Sequence, residues 1–123
     1  MAKGDMYPSE VKKLKDEQTG IPIRQLTDHD SINHNLYFSN PSWTPDGQTI
    51  VFTSYRSGEP NLFKMDEASG EMAQLTDVEG FGGFSACPAQ DGRRVFYNLG
   101  GQVCSVDLET LEEQVLADFL DGR

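Results

Sequence analysis

Two short stretches of this chain carry side chains that could contact a polar or charged ligand. One contains His34, Asn35 and Tyr37, and the other is the turn YRSG, which contains Arg56. A guanidinium can donate two parallel hydrogen bonds to a carboxylate, while an imidazole, an amide and a phenol each form directional polar contacts. We therefore predict a binding site that contains His34, Arg56, Tyr37 and Asn35. The alternative for each residue is a structural role in a turn.

Three other groups of residues resemble chemical sites but are better explained as structure. The segment DHD at 28–30 could be taken for a metal site, yet three adjacent loop residues rarely converge on one ion. The glycine-rich segment 80–84 lacks the following helix that gives phosphate-binding loops their affinity for anions, so we predict a connection between strands. Cys87 and Cys104 fit neither a CxxC pair nor a disulfide framework, which predicts two reduced thiols buried in a sheet.

The composition excludes several classes of partner. The chain has 123 residues, a formal net charge of −10 and a pI near 4.4. This charge repels phosphate backbones and anionic lipid surfaces, so we predict no binding to nucleic acid or to a membrane. The N-terminal stretch has lysines but no apolar run that could serve as the core of a signal peptide, and no later stretch reaches the length of a membrane span. We therefore expect a cytoplasmic protein with one modest core.

Alternating apolar residues and turn signals predict an all-β chain. The turn TPDG is the clearest signal: Pro45 presets its backbone angle, Asp46 can bond its own backbone, and Gly47 tolerates a left-handed conformation. The turns YRSGEP and EASGE separate later strands in the same way. The predicted strands are IPIRQLT at 21–27, then LYFSNPSW, TIVFTS, NLFKMD and MAQLT in that order.

The same order of elements occurs a second time. In FSACPAQDGRRVFYNLGGQVCSVDLETLEEQVLAD, a strand and an Asp-Gly turn are followed by three further strands. Asp46 and Asp91 are 45 residues apart, and Asp66 and Asp107 are 41 residues apart. A period in the low to middle forties, with about four strands per unit, is the signature of a propeller blade. LETLEEQVL could form a helix by composition, but it begins where EASGE connects two strands, so we predict a connection and a strand.

We therefore predict all-β propeller blades, about two of them, with a clasp strand. The predicted division is a polar N-terminal tail at 1–20, a clasp strand at 21–27, and blades at 36–76 and 84–117. Arg24 on the clasp strand is expected to be a surface charge. A blade buries both faces against its neighbours, and propellers close with about 4–8 blades. The chain is thus expected to be either the N-terminal part of a larger propeller or a unit whose copies assemble into a closed ring.

These motifs carry two resemblances to known families. The segment PSWTPDGQTIVFTSYRSGEPNLFKMD followed by QLTD resembles the blade repeat of the Tol-system propeller protein and its bacterial relatives. The order GIPIRQLT, HNLYFSNPSWTPDG, SYRSGEPNLFKMD, QLTD, FGGF and VDLETLEEQV is similar to the N-terminal part of the oligogalacturonate lyases, over roughly residues 15 to 117. The second resemblance is the more specific one, because FGGF and VDLETLEEQV are not part of the generic blade repeat.

The resemblance to the lyases implies a fold and a function. Members are seven-bladed propellers that degrade short pectin fragments inside bacterial cells by β-elimination. A divalent metal, Mn2+, binds the substrate carboxylate, and a His acts as the base. The metal ligands and the base come from later blades, so they are carried over to no residue here, and we expect no cofactor in this chain. The implied partner is an acidic oligosaccharide; the alternative is a non-catalytic module of Tol type that binds another protein.

Overall fold

The fold is built from strands and turns. The structure, a computed structural model, describes residues 3–34, 36, 42–79, 81, 86–99 and 101–118. Within these residues every regular element is a β-strand, and no helix is long and apolar enough to cross a membrane. In chain order the strands are β1 Met6–Tyr7, β2 Lys12–Lys15, β3 Pro22–Gln25, β4 Asn33–His34, β5 Thr49–Ser54, β6 Asn61–Asp66, β7 Met72–Gln74, β8 Cys87–Pro88, β9 Arg94–Leu99, β10 Gln102–Asp107 and β11 Glu113–Asp118.

The first blade is a five-stranded antiparallel sheet. Its strand order is β1-β7-β6-β5-β4. β5 and β6 pair over their full lengths, from Thr49 opposite Asp66 to Ser54 opposite Asn61, which confirms the predicted strands TIVFTS and NLFKMD. The predicted inner strand LYFSNPSW lies mostly outside the described residues, and its last residue, Trp43, forms a bridge to a residue of β5.

The second blade repeats this arrangement with four strands in the order β11-β10-β9-β8. β9 and β10 pair from Arg94 opposite Asp107 to Leu99 opposite Gln102. The stretch LETLEEQVL forms a turn and then strand β11, so the prediction of a connection rather than a helix is confirmed. In this turn Leu111 has a φ of 63°, in the left-handed region that favours glycine.

The two blades pack face to face through one hydrophobic cluster. Val51 and Leu62 from the first blade and Val95 and Val106 from the second are fully buried in it. Burying side chains of this kind contributes about 1.5–3 kcal/mol each, and this is the larger of the two hydrophobic clusters that the described residues form. The other members are Leu36, Leu75, Phe81, Ala86, Tyr97, Cys104 and Leu108.

The opposite face of the first blade is covered by the N-terminal segment. Phe52 and Phe63 stack there with ring centroids 5.8 Å apart, and Tyr7 meets Phe63 edge to face at 5.5 Å. Leu26 packs against the same cluster. Both faces of this sheet are therefore buried, as a blade requires, and residues that precede the blade in the sequence cover one of them.

The structure corrects the prediction of a polar tail at 1–20. β1 pairs with β7 at the edge of the first blade, and β2 pairs with β3 to form a separate hairpin. The β2 sequence, KKLK, has one apolar residue and no alternation, so its pairing with β3 rather than its own composition makes it a strand. The predicted clasp strand at 21–27 is a strand over Pro22–Gln25, as one arm of that hairpin.

A buried hydrogen-bond network joins β6 to the segment that follows β7. The Asn61 Oδ1 accepts hydrogen bonds from the Thr76 hydroxyl at 2.9 Å and from the Val78 N–H at 3.0 Å. The Thr76 Oγ1 in turn accepts the N–H of Leu62 at 3.0 Å. The side chains of Asn61 and Thr76 are buried. Their hydrogen bonds connect the NLF and QLT segments and so hold the outer strands of the blade together.

We predict that replacing Asn61 by leucine lowers the free energy of unfolding by about 1–3 kcal/mol, because the Val78 N–H and the Thr76 hydroxyl lose their acceptor in buried surroundings. Urea unfolding measures the change. Gln48→Leu is the matched control, since it makes the same kind of exchange at an exposed position and should shift stability by no more than about 0.5 kcal/mol. Equal effects of the two substitutions would mean that the hydrogen bonds of Asn61 do not stabilise the blade.

Candidate functional site

Strand pairing brings together two of the four predicted site residues. His34 ends β4, and Arg56 follows the end of β5 by two positions. β4 and β5 pair with His34 opposite Thr53, so both side chains lie at the same end of the first blade. Asn35 and Tyr37 lie outside the described residues, and their role stays a prediction.

Arg56 is held in a buried ion pair with Glu10. Its side chain is 0% exposed, and its Nη1 and Nη2 lie 2.8 and 3.2 Å from the two carboxylate oxygens of Glu10. The Nε–H donates to the Ser54 Oγ at 3.0 Å. The guanidinium carbon also lies 5.7 and 5.5 Å from the ring centroids of Tyr7 and Phe63, which favours the cation further. Direct contact between Arg56 and a ligand would require this ion pair to open.

The carboxylate of Glu10 can neutralise the buried positive charge of Arg56. Burial opposes ionisation of its carboxyl, but the backbone N–H of Asp28, at 2.9 Å, and the Arg56 guanidinium together outweigh burial and lower the pKa of Glu10. The carboxylate is therefore ionised at neutral pH. Through these contacts Glu10 ties the start of the chain both to the first blade and to the loop after β3.

Asn33 connects this ion pair to His34. The Asn33 Oδ1 accepts hydrogen bonds from Arg56 Nη2 at 3.0 Å and from the Ser54 hydroxyl at 2.6 Å. Because Asn33 directly precedes His34 in β4, the buried arginine fixes the backbone from which the imidazole projects. Arg56 therefore contacts, through the Asn33 side chain, the residue that precedes His34 in β4.

His34 lines a shallow cleft between the first blade and the loop that follows β3. The side chain is half-buried, and its ring centroid lies 6.3 Å from that of Tyr55. The cleft has a volume of about 160 Å³, and four of its seven lining residues are apolar. The imidazole itself lies on the other face of the sheet, because His34 pairs with Thr53 and its ring is next to Tyr55, whereas Phe52 of the cleft alternates with Thr53 along β5. The other lining residues are Leu26, Thr27, Asn33, Ile50, Phe52 and Met65.

The segment 28–30 has no metal-site geometry. The His29 Nδ1 accepts the Ser31 N–H at 3.0 Å, and Asp28 forms an ion pair with Lys12 at 2.8 Å. Among the residues that the structure describes, no three His, Cys, Asp or Glu side chains are grouped so that they could hold a metal ion. These local contacts agree with a structural role for the segment.

The two cysteines are free thiols, and the predicted burial is confirmed for Cys104 alone. Cys104 is buried in the core between the blades, and burial together with the nearby Glu113 carboxylate raises the pKa of its thiol. Cys87 is partly buried in β8. A thiol with a raised pKa is a poor nucleophile at neutral pH, so Cys104 belongs to the core. The predicted surface charge Arg24 forms an ion pair with Glu67 at 2.7 Å and is partly exposed.

The sequence did not indicate the role of Glu10. It lies 46 residues from Arg56, in a stretch predicted as a tail, and no local pattern links the two positions. A usable signal was the similarity between DEQTG at 16–20 and DEASG at 66–70. It marks the N-terminal stretch as a hairpin of the blade type.

Two repeated antiparallel sheets, packed face to face through a shared core, define this chain as part of a β-propeller. The chain belongs to the oligogalacturonate lyase family, since the model of the family described as oligogalacturonate lyase matches residues 1–122. It is 33% identical to the oligogalacturonide lyase of Pectobacterium atrosepticum over 98% of its own length, and it spans 31% of the length of that relative.

Solved structures agree with this assignment. An oligogalacturonate lyase in complex with manganese matches with a TM-score of 0.86 at 33% identity, over 94% of this chain and 31% of that one. TolB from Acinetobacter baumannii matches with a TM-score of 0.62 at 20% identity, over 89% of this chain and 27% of that one. The likeness to TolB shows the propeller fold alone, whereas the resemblance to the lyases is confirmed.

Proposed function

We propose that this chain supplies two blades of an oligogalacturonate lyase that cleaves short pectin-derived oligogalacturonates by β-elimination. The observation that carries the proposal is the family match, which extends over residues 1–122 and so includes both blades and the N-terminal hairpin. The chain spans 31% of the length of its matched relative. We therefore assign the activity to an assembly that contains this chain as one part.

The reaction needs a cation at the substrate carboxylate and a base. In a uronate, the proton on carbon five lies next to the carboxylate, and its acidity rises when a cation neutralises that carboxylate. A solved relative is a complex with manganese, so Mn2+ is the cation we propose for the intact protein. The described residues offer no grouped ligands for it, and we expect the ligands and the base from polypeptide beyond them.

Within this chain, His34 is the residue we propose to contact the substrate. Its half-buried imidazole lies at the end of β4 beside the Tyr55 ring, and it can exchange a hydrogen bond with a sugar hydroxyl or carboxylate. Arg56 acts on the substrate only through Asn33 and the β4 backbone, because its guanidinium is enclosed by Glu10 and two rings. Arg56 is thus proposed as a positioning residue, and Asn35 and Tyr37 remain predicted contacts.

The test of this function is product analysis. The chain is combined with the part of the P. atrosepticum enzyme that it does not match, and the complex is incubated with trigalacturonate and Mn2+. We expect a product with a carbon–carbon double bond at its new non-reducing end, detected by mass spectrometry and ultraviolet absorbance, and we expect a chelator to abolish it. A folded complex with bound Mn2+ that releases only saturated products, or none, would contradict the proposal.

The predicted contact at His34 can be tested in the same complex. Removing one hydrogen bond costs about 1–1.5 kcal/mol, so His34→Ala should lower kcat/KM about tenfold, with urea unfolding used to check that the variant is folded in the assay. His29→Ala is the matched control, because His29 bonds within its own loop and should leave kcat/KM unaffected. Equal activity of the two variants would remove His34 from the site.

A non-catalytic module of Tol type, which would bind another protein, is the alternative. The likeness to TolB extends to the fold and therefore supports the blades without identifying a partner. A complex that binds a defined protein but gives no unsaturated uronate would favour this alternative. The expected cytoplasmic location stays a prediction under either function.

A further inference from the structure

Tyr55 is a partly exposed aromatic residue that directly follows β5, at the end of the first blade where His34 lies. Its N–H donates to the Ile32 carbonyl at 2.9 Å, so the pairing of β4 with β5 continues one step beyond Asn33 and Ser54. Residues that lie opposite each other in an antiparallel pair share a face of the sheet, as do residues two apart along a strand. Ile32, His34 and Tyr55 therefore share one face.

These three residues form a small surface of mixed polarity, which we call the Tyr55 patch. The rings of His34 and Tyr55 have centroids 6.3 Å apart and are inclined by 53°. Ile32 is 62% exposed, and the other two side chains are partly exposed. The patch thus combines apolar surface with an imidazole and a phenol, which form directional polar contacts.

The backbone of Tyr55 is held by buried neighbours on both sides. Ser54 and the side chain of Arg56 are each 0% exposed. The Ser54 Oγ accepts the Arg56 Nε–H at 3.0 Å and donates its own proton to the Asn33 Oδ1 at 2.6 Å. The Tyr55 carbonyl also accepts the Gly58 N–H at 2.9 Å. Because a group that is already ordered loses little entropy on binding, Tyr55 is well placed to hold a ligand.

The Tyr55 hydroxyl has no hydrogen-bond partner among the residues that the structure describes. The hydroxyls of Tyr7 and Tyr97, in contrast, donate to the side chains of Gln74 at 3.2 Å and Glu113 at 2.6 Å. Packing and hydrogen bonding explain why tyrosine occupies those two positions. The same contacts do not explain a tyrosine at position 55, where both the ring and its polar tip can reach a ligand.

We propose that the Tyr55 ring packs against the apolar face of one sugar of the bound oligogalacturonate. In a galacturonate ring the C–H groups of carbons three, four and five point to the same face, and such a face packs well on an aromatic ring. This inference rests on the proposed function. It also moves the contact predicted for the turn YRSG from Arg56, whose side chain points into the buried face, to the residue before it.

The sugar held by Tyr55 is not the one that loses its proton. β-Elimination removes the proton on carbon five, and a ring packed over that carbon would keep the base away from it. Tyr55 is therefore assigned to a neighbouring sugar of the same chain. A contact of this kind stabilises the bound substrate and the transition state equally, so its loss should raise KM and leave kcat nearly unchanged.

The size of the Tyr55 patch favours a sugar over a protein partner. A stable protein interface needs about 800 Å² on each partner, far more than three side chains supply. A single sugar ring can be covered by one aromatic side chain with one or two polar groups beside it, which is the usual composition of a small-molecule site.

The test is binding of trigalacturonate to the complex of this chain with the part of the P. atrosepticum enzyme that it does not match. A chelator prevents cleavage, and saturation-transfer NMR gives the Kd by titration. Tyr55→Ala should weaken binding about tenfold, and Tyr55→Phe, which keeps the ring, should stay within about threefold of the unaltered chain. Trp43→Ala is the matched control, because Trp43 is 46% exposed but lies opposite Ile50, at the other end of β5, and should bind like the unaltered chain.

Ile32→Asp is a second variant. Ile32 is exposed, so the substitution should leave the blade folded, while its carboxylate would repel the anionic sugar from the Tyr55 patch. Binding should therefore weaken at least about threefold.

Several results would overturn the inference. They are absence of binding to the unaltered complex, unchanged binding by Tyr55→Ala or Ile32→Asp, equal losses for Tyr55→Ala and Tyr55→Phe, and a loss for Trp43→Ala as large as that for Tyr55→Ala. Binding that depends on Tyr55 in a complex that forms no unsaturated uronate with Mn2+ would refute the proposed function and leave this inference intact. Unsaturated uronate formed with the same KM by Tyr55→Ala would do the reverse.

Discussion

Glu10→Ala is expected to lower the free energy of unfolding by about 3 kcal/mol, at the lower end of the 3–5 kcal/mol typical for breaking a buried ion pair. The Arg56 side chain is 0% exposed, so the substitution leaves a guanidinium in the protein interior without its counter-charge. The lower end applies because the Glu10 side chain is 21% exposed and water can replace part of the carboxylate. Urea unfolding followed by circular dichroism measures the change.

The exposed ion pair of Arg24 and Glu67 provides the matched control. Its side chains are 34% and 39% exposed, and exposed pairs contribute about 0–1 kcal/mol, so Glu67→Ala should have a small effect. Replacing both members of the buried pair, as in Glu10→Met with Arg56→Met, should recover part of the loss, because no unpaired charge remains. If Glu10→Ala costs no more than Glu67→Ala, the N-terminal segment is not held by this ion pair.

Gly70→Ala is expected to lower the free energy of unfolding by about 2–5 kcal/mol. Gly70 has a φ of 78°, where a side chain costs about 1–2 kcal/mol. A Cβ at this position would also overlap the Ser9 Oγ and lie 2.5 Å from the Val11 Cγ2. The N-terminal segment would have to move away from the first blade, and overpacking of this kind typically costs about 1–3 kcal/mol more.

Gly20→Ala separates the two contributions. Gly20 occupies the same place in its turn with a φ of 75°, but a Cβ there would have nothing within 4 Å. Gly20→Ala should therefore lower the free energy of unfolding only by the cost of the left-handed backbone, about 1–2 kcal/mol. Amide hydrogen exchange adds a direct readout: Gly70→Ala should speed exchange in β1, and Gly20→Ala should not. Equal losses for the two variants would mean that the N-terminal segment does not rest on the turn at Gly70.

Much of the fold could be predicted because the blade strands carry their own signals. TIVFTS and NLFKMD coincide with β5 and β6, since β-branched and aromatic runs between strong turns leave little freedom in their boundaries. The turn at Asp46-Gly47 forms as expected, with Asp46 accepting the Gln48 N–H at 2.9 Å and Gly47 at a φ of 73°. Local sequence determines such features, so they can be predicted without knowledge of the rest of the chain.

The parts that escaped prediction depend on partners distant in sequence. β1 and β2 are strands because β7 and β3 pair with them, and the polar sequence around Lys13 shows no alternation of its own. Arg56 was expected to face a ligand, and its burial follows from Glu10 and the Tyr7 ring, which approach from the N-terminal segment. The left-handed conformation of Leu111 was not predicted, because the two related turns have glycine, Gly20 and Gly70, at this position.

The binding roles of His34 and Arg56 stay predictions. The structure shows a half-buried His34 ring beside Tyr55, and a buried Arg56 that bonds to Asn33, the residue before His34. A turn arginine and a buried arginine look alike in sequence, because burial is decided by what packs over the turn. Here the covering residues come from a segment that the composition alone described as a polar tail.

The proposed role of this chain is tested most directly by comparing lyase rates with and without it. The P. atrosepticum enzyme without its matching segment is assayed with oligogalacturonate and Mn2+, first alone and then with the chain. We expect unsaturated uronate only when the chain is added, with a rate that saturates at a one-to-one ratio. Activity of the truncated enzyme alone, or no activity in a complex of correct mass, would contradict the claim that this chain is a working part of such a lyase.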